Sequence, residues 1–213
     1  MQDSIALSRL LSMGDWLELE GFDASQLLDE LDQFSNHWKP YNPRKKNHRF
    51  GLSVTSLNGS LDGVPDLDSL YQYNREYGTN YKNSDFTKLT PVFHKCPTLQ
   101  KILNPFLPWL GRCHFLRLDE GGFFPEHYDI NKIDDSYNEV RLIGFVQNNS
   151  LSNFKFCYDN QLLTFLNDGK LFYFNANKHH SVFSMCNDSI QLIVTLNFNS
   201  HLFIKILEKY IYA

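Results

Sequence analysis

The sequence predicts a mainly β protein with flanking helices, built as an antiparallel sandwich or barrel. The first observation is a succession of short strands after Pro108, at about residues 112–118, 123–129, 139–147, 153–158, 161–166, 169–174, 180–184 and 189–198. The second is the set of turn signals between them, such as Glu120-Gly121-Gly122, at spacings of about 8–12 residues. The third is the lack of alternating strands and helices, which argues against a parallel Rossmann sheet.

The N-terminal third contributes a helix and a strand. Asp23 is a favourable N-cap for a helix over residues 24–34, in which the apolar residues recur at helical spacing. From residue 51 to residue 57 apolar and polar side chains alternate, and Asn58-Gly59 follows. This pattern predicts a strand that ends in a turn.

Two more helices and one irregular segment complete the prediction. A helix is expected over residues 98–103, where it stops before Pro105. A closing amphipathic helix is indicated by Leu202, Ile206 and Tyr210. Residues 60–93 show no sustained periodicity, so we expect a long irregular excursion of the kind that is usually functional in a compact domain.

Length and composition favour one folded domain. The 213 residues are 42% hydrophobic and 15% aromatic, enough to bury a substantial core. We expect a single domain over residues 1–213. Its parts are a helical and irregular N-terminal part with at least one sheet-extending strand (1–108), a β core (109–200) and a C-terminal helix (201–213).

Charge and cysteine content exclude several classes of function. A net charge of −4 gives no general attraction to phosphate, so nucleic acid is not an expected partner. No apolar run approaches the length of a membrane span, and the first residues lack the pattern of a signal peptide. The four cysteines form no CxxC pair, which excludes a zinc ribbon. We therefore expect a cytoplasmic protein away from membranes.

One short motif carries chemistry. In His127-Tyr128-Asp129 the first and third residues lie on the same face of an extended strand, so an imidazole and a carboxylate are presented together. With a second histidine these groups would form the facial triad of a non-haem ferrous site, which leaves coordination positions open. The pair His179-His180 begins a predicted strand about 50 residues later, and either histidine is a candidate for the third ligand.

The stretch from Phe115 to Leu196 resembles the 2-oxoglutarate- and iron-dependent oxygenases, in particular their aspartyl/asparaginyl β-hydroxylase-like branch. The matching segments are residues 117–122, 125–129, 140–142, 169–174, 180–183 and 190–194. The first hundred residues match only loosely and look similar to uncharacterised oxygenases of marine bacteria and their phages. The resemblance implies a double-stranded β-helix, a cupin-like jelly roll, which agrees with the predicted strands.

The resemblance also implies a set of site residues. His127, Asp129 and His180 would hold Fe(II), and His180 is preferred to His179 because His-x-Val-Phe matches the family there. Arg141 falls on a position where the family binds the 2-oxoglutarate carboxylate.

A second arginine, expected about ten residues after the distal histidine, is missing from this chain. Ser189 or Gln191 stands in its place. Three explanations stay open: Arg141 suffices, Arg117 turns inward, or the pocket takes a different 2-oxo acid.

The implied activity is oxidative decarboxylation of 2-oxoglutarate with dioxygen, coupled to hydroxylation of a free amino acid or a peptide side chain. Residues 60–93 and the basic segment 44–49 are where we expect substrate specificity, although such a basic run is also typical of a solvated loop. Two alternatives are a non-catalytic jelly-roll binding module and a cupin-type enzyme with another metal and no 2-oxo acid. The sequence leaves the substrate and the oligomeric state open.

Overall fold

The computed structural model describes residues 9–129, 139–197 and 207–209. Most of the predicted C-terminal helix, including Leu202, Ile206 and Tyr210, lies outside the described residues, and residues 207–209 are helical. The described part of the chain contains no helix with the length and apolar character needed to cross a bilayer.

The strands of the described residues form two facing sheets and one small ribbon. Their bounds are β1 (Trp16–Leu19), β2 (Lys39–Pro40), β3 (Arg49–Ser53), β4 (Thr55–Ser56), β5 (Lys88–Leu89), β6 (Leu110–Leu118), β7 (Phe123–His127), β8 (Glu139–Gln147), β9 (Phe154–Tyr158), β10 (Gln161–Leu162), β11 (Leu171–Phe174), β12 (His180–Ser184) and β13 (Ser189–Asn197).

The topology is that of a jelly roll. A seven-stranded sheet has the order β1-β11-β8-β13-β6-β3-β2, and a four-stranded sheet has the order β10-β9-β12-β7. All the neighbouring strands in these two sheets pair antiparallel. The predicted mainly β, double-stranded β-helix fold is therefore confirmed, and strands of the N-terminal part extend both edges of the larger sheet.

The helices are α1 (Ala24–Asp32), α2 (Leu70–Tyr77), α3 (Pro91–Lys95) and α4 (Pro97–Leu103), together with 3₁₀ turns at Ser35–His37, Asn83–Asp85 and Asn104–Trp109. Helices α1, α3 and α4 cover the side of the larger sheet that faces away from the smaller one. Asp23 caps α1 as predicted, because its side chain accepts a hydrogen bond from the backbone N–H of Gln26 at 2.9 Å.

The expectation of an irregular excursion over residues 60–93 is wrong in part. The segment contains α2, the short strand β5 and α3. Helix α2 buries none of its residues and so shows no apolar stripe. It is defined by its ends instead, an N-cap at Ser69 and a left-handed Gly78 at φ 65°. The strand predicted at 161–166 is also shorter, since only Gln161–Leu162 pairs with β9.

The two faces of the seven-stranded sheet bury different cores. The inner face, which is turned toward the four-stranded sheet, contributes Leu116, Leu118, Ile143, Phe145, Phe172 and Phe174 to a core shared with Phe154, Phe156 and Tyr158. The outer face packs under the helices through Phe115, Leu142, Leu192 and Val194. This alternation follows from the two-residue period of a strand, and it decides which side chains reach the space between the sheets.

Trp16 of the edge strand β1 packs at the centre of an aromatic cluster. Its ring lies 5.2–5.8 Å, centroid to centroid, from five rings, those of Phe156, Tyr158, Phe165, Phe172 and Phe174. The cluster joins β1 to strands of both sheets.

We expect Trp16→Ala to lower the free energy of unfolding by about 3 kcal/mol, because it leaves a cavity among these rings. Denaturant unfolding measures this change. Tyr71→Ala is the control: Tyr71 is 60% exposed on α2, and its loss should change stability by less than about 0.5 kcal/mol. Equal effects of the two variants would contradict the packing described here.

Candidate metal centre

His127, Asp129 and His180 meet at one end of the jelly roll. His127 ends β7 and His180 begins β12, and the two are direct cross-strand partners. Asp129 follows two residues after His127. The Oδ1 atom of Asp129 lies 3.5 Å from Nε2 of His127 and 3.9 Å from Nε2 of His180. One ligand atom from each residue lies within 4.8 Å of the other two, and the described residues contain no other such group of three.

Backbone hydrogen bonds fix the orientation of both imidazoles. Nδ1 of His127 lies 2.8 Å from the carbonyl oxygen of Pro125, and Nδ1 of His180 lies 2.9 Å from that of Lys178. A carbonyl oxygen can only accept, so each Nδ1 carries the proton and donates it. In the neutral ring each Nε2 then keeps its lone pair, which is the state that a metal ligand requires.

The electrostatics of the cluster suit a cation. Burial raises the pKa of Asp129, but the charge of Arg141, followed by the charges of His180 and His127, outweighs it and lowers the pKa of this carboxyl. Burial also lowers the pKa of His180, and the attraction of Asp129 offsets this only in part. At neutral pH the cluster therefore presents a carboxylate and, at His180, a neutral imidazole.

His179, the other candidate for the third ligand, lies elsewhere. Its exposed ring is held by Glu126, with Nδ1 2.8 Å from Oε1. Successive residues of a strand point to opposite faces, so the buried His180 turns toward the cluster and His179 turns away from it.

Arg141 lies beside the cluster on the inner face of β8. Its Nε donates to Oδ2 of Asp129 at 3.1 Å, and its guanidinium also donates to the hydroxyl of Thr195, its partner on β13. Glu139 is a third contact at 3.6 Å. The side chain is 13% exposed, so the guanidinium holds Asp129 from a largely buried position.

The other predicted anchors of the co-substrate do not reach the cluster. Arg117 points to the outer face of β6, where its guanidinium lies 4.6 Å from the centre of the Phe50 ring and 5.2 Å from that of Trp38. Because Leu116 and Leu118 take the inward positions of this strand, the inward turn proposed for Arg117 is not observed.

Ser189 and Gln191 are buried in β13 and bind protein groups. Ser189 Oγ lies 2.8 Å from Ser184 Oγ, and Gln191 Nε2 donates to Oδ1 of Asn149 at 2.5 Å. Neither side chain supplies a positive charge near the cluster. In the described residues, the Oε1 atom of Gln191 is buried without a hydrogen-bond partner.

The basic segment 44–49 divides into two parts with different roles. Arg44 forms ion pairs with Asp68 at 2.5 Å and with Glu76 of α2 at 2.5 Å. These hydrogen bonds raise its pKa and join the loop to the helix. Arg49 instead belongs to β3 and is buried on the inner face, a position that the analysis of the sequence missed. The alternation of Arg49, Gly51 and Ser53 with apolar neighbours was the signal for it.

Comparisons with known proteins find likeness at the level of the fold only. No family model matches the sequence, and no curated protein matches it. A prolyl-4-hydroxylase from Pseudomonas putida is 13% identical with a TM-score of 0.49, over 94% of this chain and 100% of that one. A 2OG-Fe(II) oxygenase family oxidoreductase from Burkholderia pseudomallei is 12% identical with a TM-score of 0.49, over 92% and 89%.

A third solved structure is the viral collagen prolyl hydroxylase of Paramecium bursaria Chlorella virus-1 bound to 2OG. It is 10% identical with a TM-score of 0.45, over 88% of this chain and 97% of that one. Likeness at this level leaves the function to be argued from the cluster itself.

Asp129→Asn should destabilise the metal-free protein by about 1 kcal/mol at neutral pH, since the partly buried ion pair with Arg141 is lost. The pKa of Asp129 is lowered in the folded state, so its contribution is present above the unfolded carboxyl pKa of about 4 and disappears as the pH falls through the lower folded value. Urea unfolding at several pH values, in the presence of a chelator, measures the difference.

The matched control is Glu76→Gln, which removes one acid from the exposed end of the Arg44 pair. It should cost less than Asp129→Asn at neutral pH. A constant difference between Asp129→Asn and wild type down to pH 2–3 would contradict the described pairing (a range set by the usual carboxyl pKa of about 4).

Proposed function

We propose that the protein is a non-haem iron oxygenase that couples oxidative decarboxylation of 2-oxoglutarate to hydroxylation of its substrate. The observation that carries the proposal is the approach of two Nε2 atoms and one carboxylate oxygen to within 4.8 Å of one another. Two imidazoles and one carboxylate form the ligand set of non-haem Fe(II) oxygenases, and a set of only three leaves positions for an oxo acid and dioxygen.

The donor set fits ferrous iron better than a closed structural zinc site, which takes four protein ligands. When bound, the iron supplies the one-electron and dioxygen chemistry that no side chain of this protein can perform. His127, Asp129 and His180 would hold it. The paired strands β7 and β12 hold the two histidines opposite each other, and both Nδ1 atoms donate to carbonyl oxygens.

Arg141 is proposed to serve both the carboxylate ligand and the co-substrate. It lies 3.1 Å from Asp129, beside the residues that would hold the metal, and its planar fork can pair with a carboxylate of a 2-oxo acid. Its contact with the hydroxyl of Thr195 keeps the guanidinium on this side of β8. Ser189 and Gln191 are kept as proposed contacts of the co-substrate because both lie on the inner wall, the face of the seven-stranded sheet that is turned toward the smaller sheet.

The substrate is proposed to be a free amino acid or a peptide side chain, in a single-domain cytoplasmic enzyme of the aspartyl/asparaginyl hydroxylase-like branch. This part rests on the sequence resemblance. A non-catalytic jelly-roll module is the second candidate, and the lack of a cationic side chain at Ser189 and Gln191 favours it.

Metal binding is the first test. Wild-type protein should bind one Fe(II), or Mn(II) as a substitute, and Asp129→Ala should weaken the affinity at least tenfold because it removes the anionic ligand. His180→Ala should have the same effect, whereas His179→Ala is the matched control and should bind normally. Anaerobic calorimetry measures all four affinities. Loss of binding in His179→Ala with retention in His180→Ala would exchange the roles of the two histidines.

Turnover is the second test and separates the two candidate functions. Under anaerobic conditions, Fe(II) and 2-oxoglutarate together should give the weak visible charge-transfer absorption of their chelate on the protein. Admission of oxygen should then release succinate, and a metabolite or peptide screen should find a product heavier by one oxygen atom. Folded wild-type protein that binds the metal but gives neither absorption nor succinate would exclude the oxygenase and leave the binding module.

A further inference from the structure

Arg49 is a buried cation without a counterion in the part of the chain that the structure describes. It is the first residue of β3 and is 5% exposed. Its Nε is buried with no hydrogen-bond partner among the described residues, and none of their carboxylates forms an ion pair with it. The guanidinium instead lies over two aromatic rings, 3.9 Å from the centre of Phe124 and 5.8 Å from that of Tyr41.

This placement is costly for an apo protein. Burial lowers the pKa of Arg49, which reflects the penalty on a charge removed from water. The other two inner-face guanidiniums are satisfied: Arg112 donates to the carbonyl oxygens of Asp66 and Asp68, and Arg141 pairs with Asp129. The cation–π contacts of Arg49 offset part of its cost, at most about 2 kcal/mol.

A second buried polar atom without a hydrogen-bond partner lies on the inner wall near Arg49. His114, also on the inner face, has a buried Nδ1 with no partner in the described residues, and its ring stacks on Tyr41 at 5.3 Å. Burial and the charges of Arg112 and Arg141 lower its pKa well below the usual value, so it is neutral. In its Nδ1–H tautomer this ring is a neutral donor near an unpaired guanidinium, a combination that suits an anion.

The wall is also continuous with the candidate metal centre. The Phe124 ring, which covers the Arg49 guanidinium, lies 6.0 Å from the ring of His127. One aromatic ring therefore separates the unpaired guanidinium from a proposed metal ligand. Both Phe124 and His127 belong to β7, on the opposite side of the space that Arg49 faces.

We infer that Arg49 is the centre of an anion-binding subsite on the inner wall, with Tyr41 and His114 beside it, and that this subsite takes a carboxylate. The planar guanidinium binds both oxygens of a carboxylate at once, which replaces the missing counterion. The identity of the carboxylate rests on the proposed function. It comes either from the far end of a dicarboxylic 2-oxo acid or from the α-carboxylate of an amino acid substrate.

The test compares two oxo acids on Mn(II)-loaded protein without oxygen. 2-Oxoglutarate and 2-oxopentanoate have the same chelating end, but only the first has a second carboxylate. If Arg49 binds that group, Arg49→Met should weaken 2-oxoglutarate binding roughly 10- to 100-fold, as expected for a charge-assisted contact, and leave 2-oxopentanoate unchanged. Arg117→Met is the matched control, since Arg117 also lies over aromatic rings but on the outer face.

A second arm addresses the amino acid. Free amino acids are titrated into the protein already saturated with Mn(II) and 2-oxoglutarate. Loss of this binding in Arg49→Met, with both oxo acid affinities intact, assigns the subsite to the substrate. If Arg49→Met leaves the oxo acids and the amino acids bound as in wild type, the inference is overturned while the metal site stands. Failure of wild type to bind Mn(II) would instead reject the proposed function.

Stability gives a readout that a purely structural arginine would not give. Because Arg49 is buried and unpaired, Arg49→Met should keep or raise the Tm of the metal-free protein. A fall in Tm as large as that of Trp16→Ala would assign Arg49 a packing role and overturn the inference. Arg49→Lys, which keeps the charge without the fork, is the second variant. It should fold with a Tm close to that of wild type, and its affinity for the carboxylate ligand that the two arms identify should still fall.

Discussion

The pairing of β7 with β12 is the constraint on which the site depends. His127 and His180 are opposite residues of these strands, so a slip of β12 by one residue against β7 would turn the His180 ring away from the inner space and break the cluster. Asp129 is tied separately, by donation of its backbone N–H to the carbonyl oxygen of Ala176 at 2.9 Å. The centre is thus assembled by backbone hydrogen bonds, and the side chains need only adopt the rotamers that those bonds permit.

The N-terminal part does more than cover the jelly roll. Strand β3 adds to the free edge of β6 and places Arg49 opposite Leu118, which pairs on its other side with Ser189. The guanidinium therefore stands at the same level of the inner wall as the position on β13 where a positive charge is missing. In this way a strand of the N-terminal part can supply a cation at a level where β13 has none.

The β core was predictable from the sequence because strands have a strong local signal. The alternation of β8 and β13 and the glycine turns between strands were readable without partners, and the His-x-Asp motif needed only the two-residue period of an extended chain. The choice of His180 over His179 rested on resemblance, and the structure places the former in the cluster and the latter at Glu126.

Other features depended on information that no local pattern contains. Helix α2 has a polar sequence with no buried face, so only its end residues indicate a helix. The outward direction of Arg117 was hidden for a different reason. It depends on the strands next to β6 and on the phase of the pleat, which are properties of the assembled sheet.

The order of strands in the larger sheet has a consequence for biosynthesis. Its central strand, β13, is the last one along the described chain, and the edge strand β1 is the first and pairs with β11. Most contacts are therefore distant in sequence, which slows folding. On the ribosome, β1 and Trp16 stay unpaired until β11 emerges, and β6 and β8 lack the strand between them until residue 197 emerges, so apolar strand surface is open to aggregation for much of synthesis.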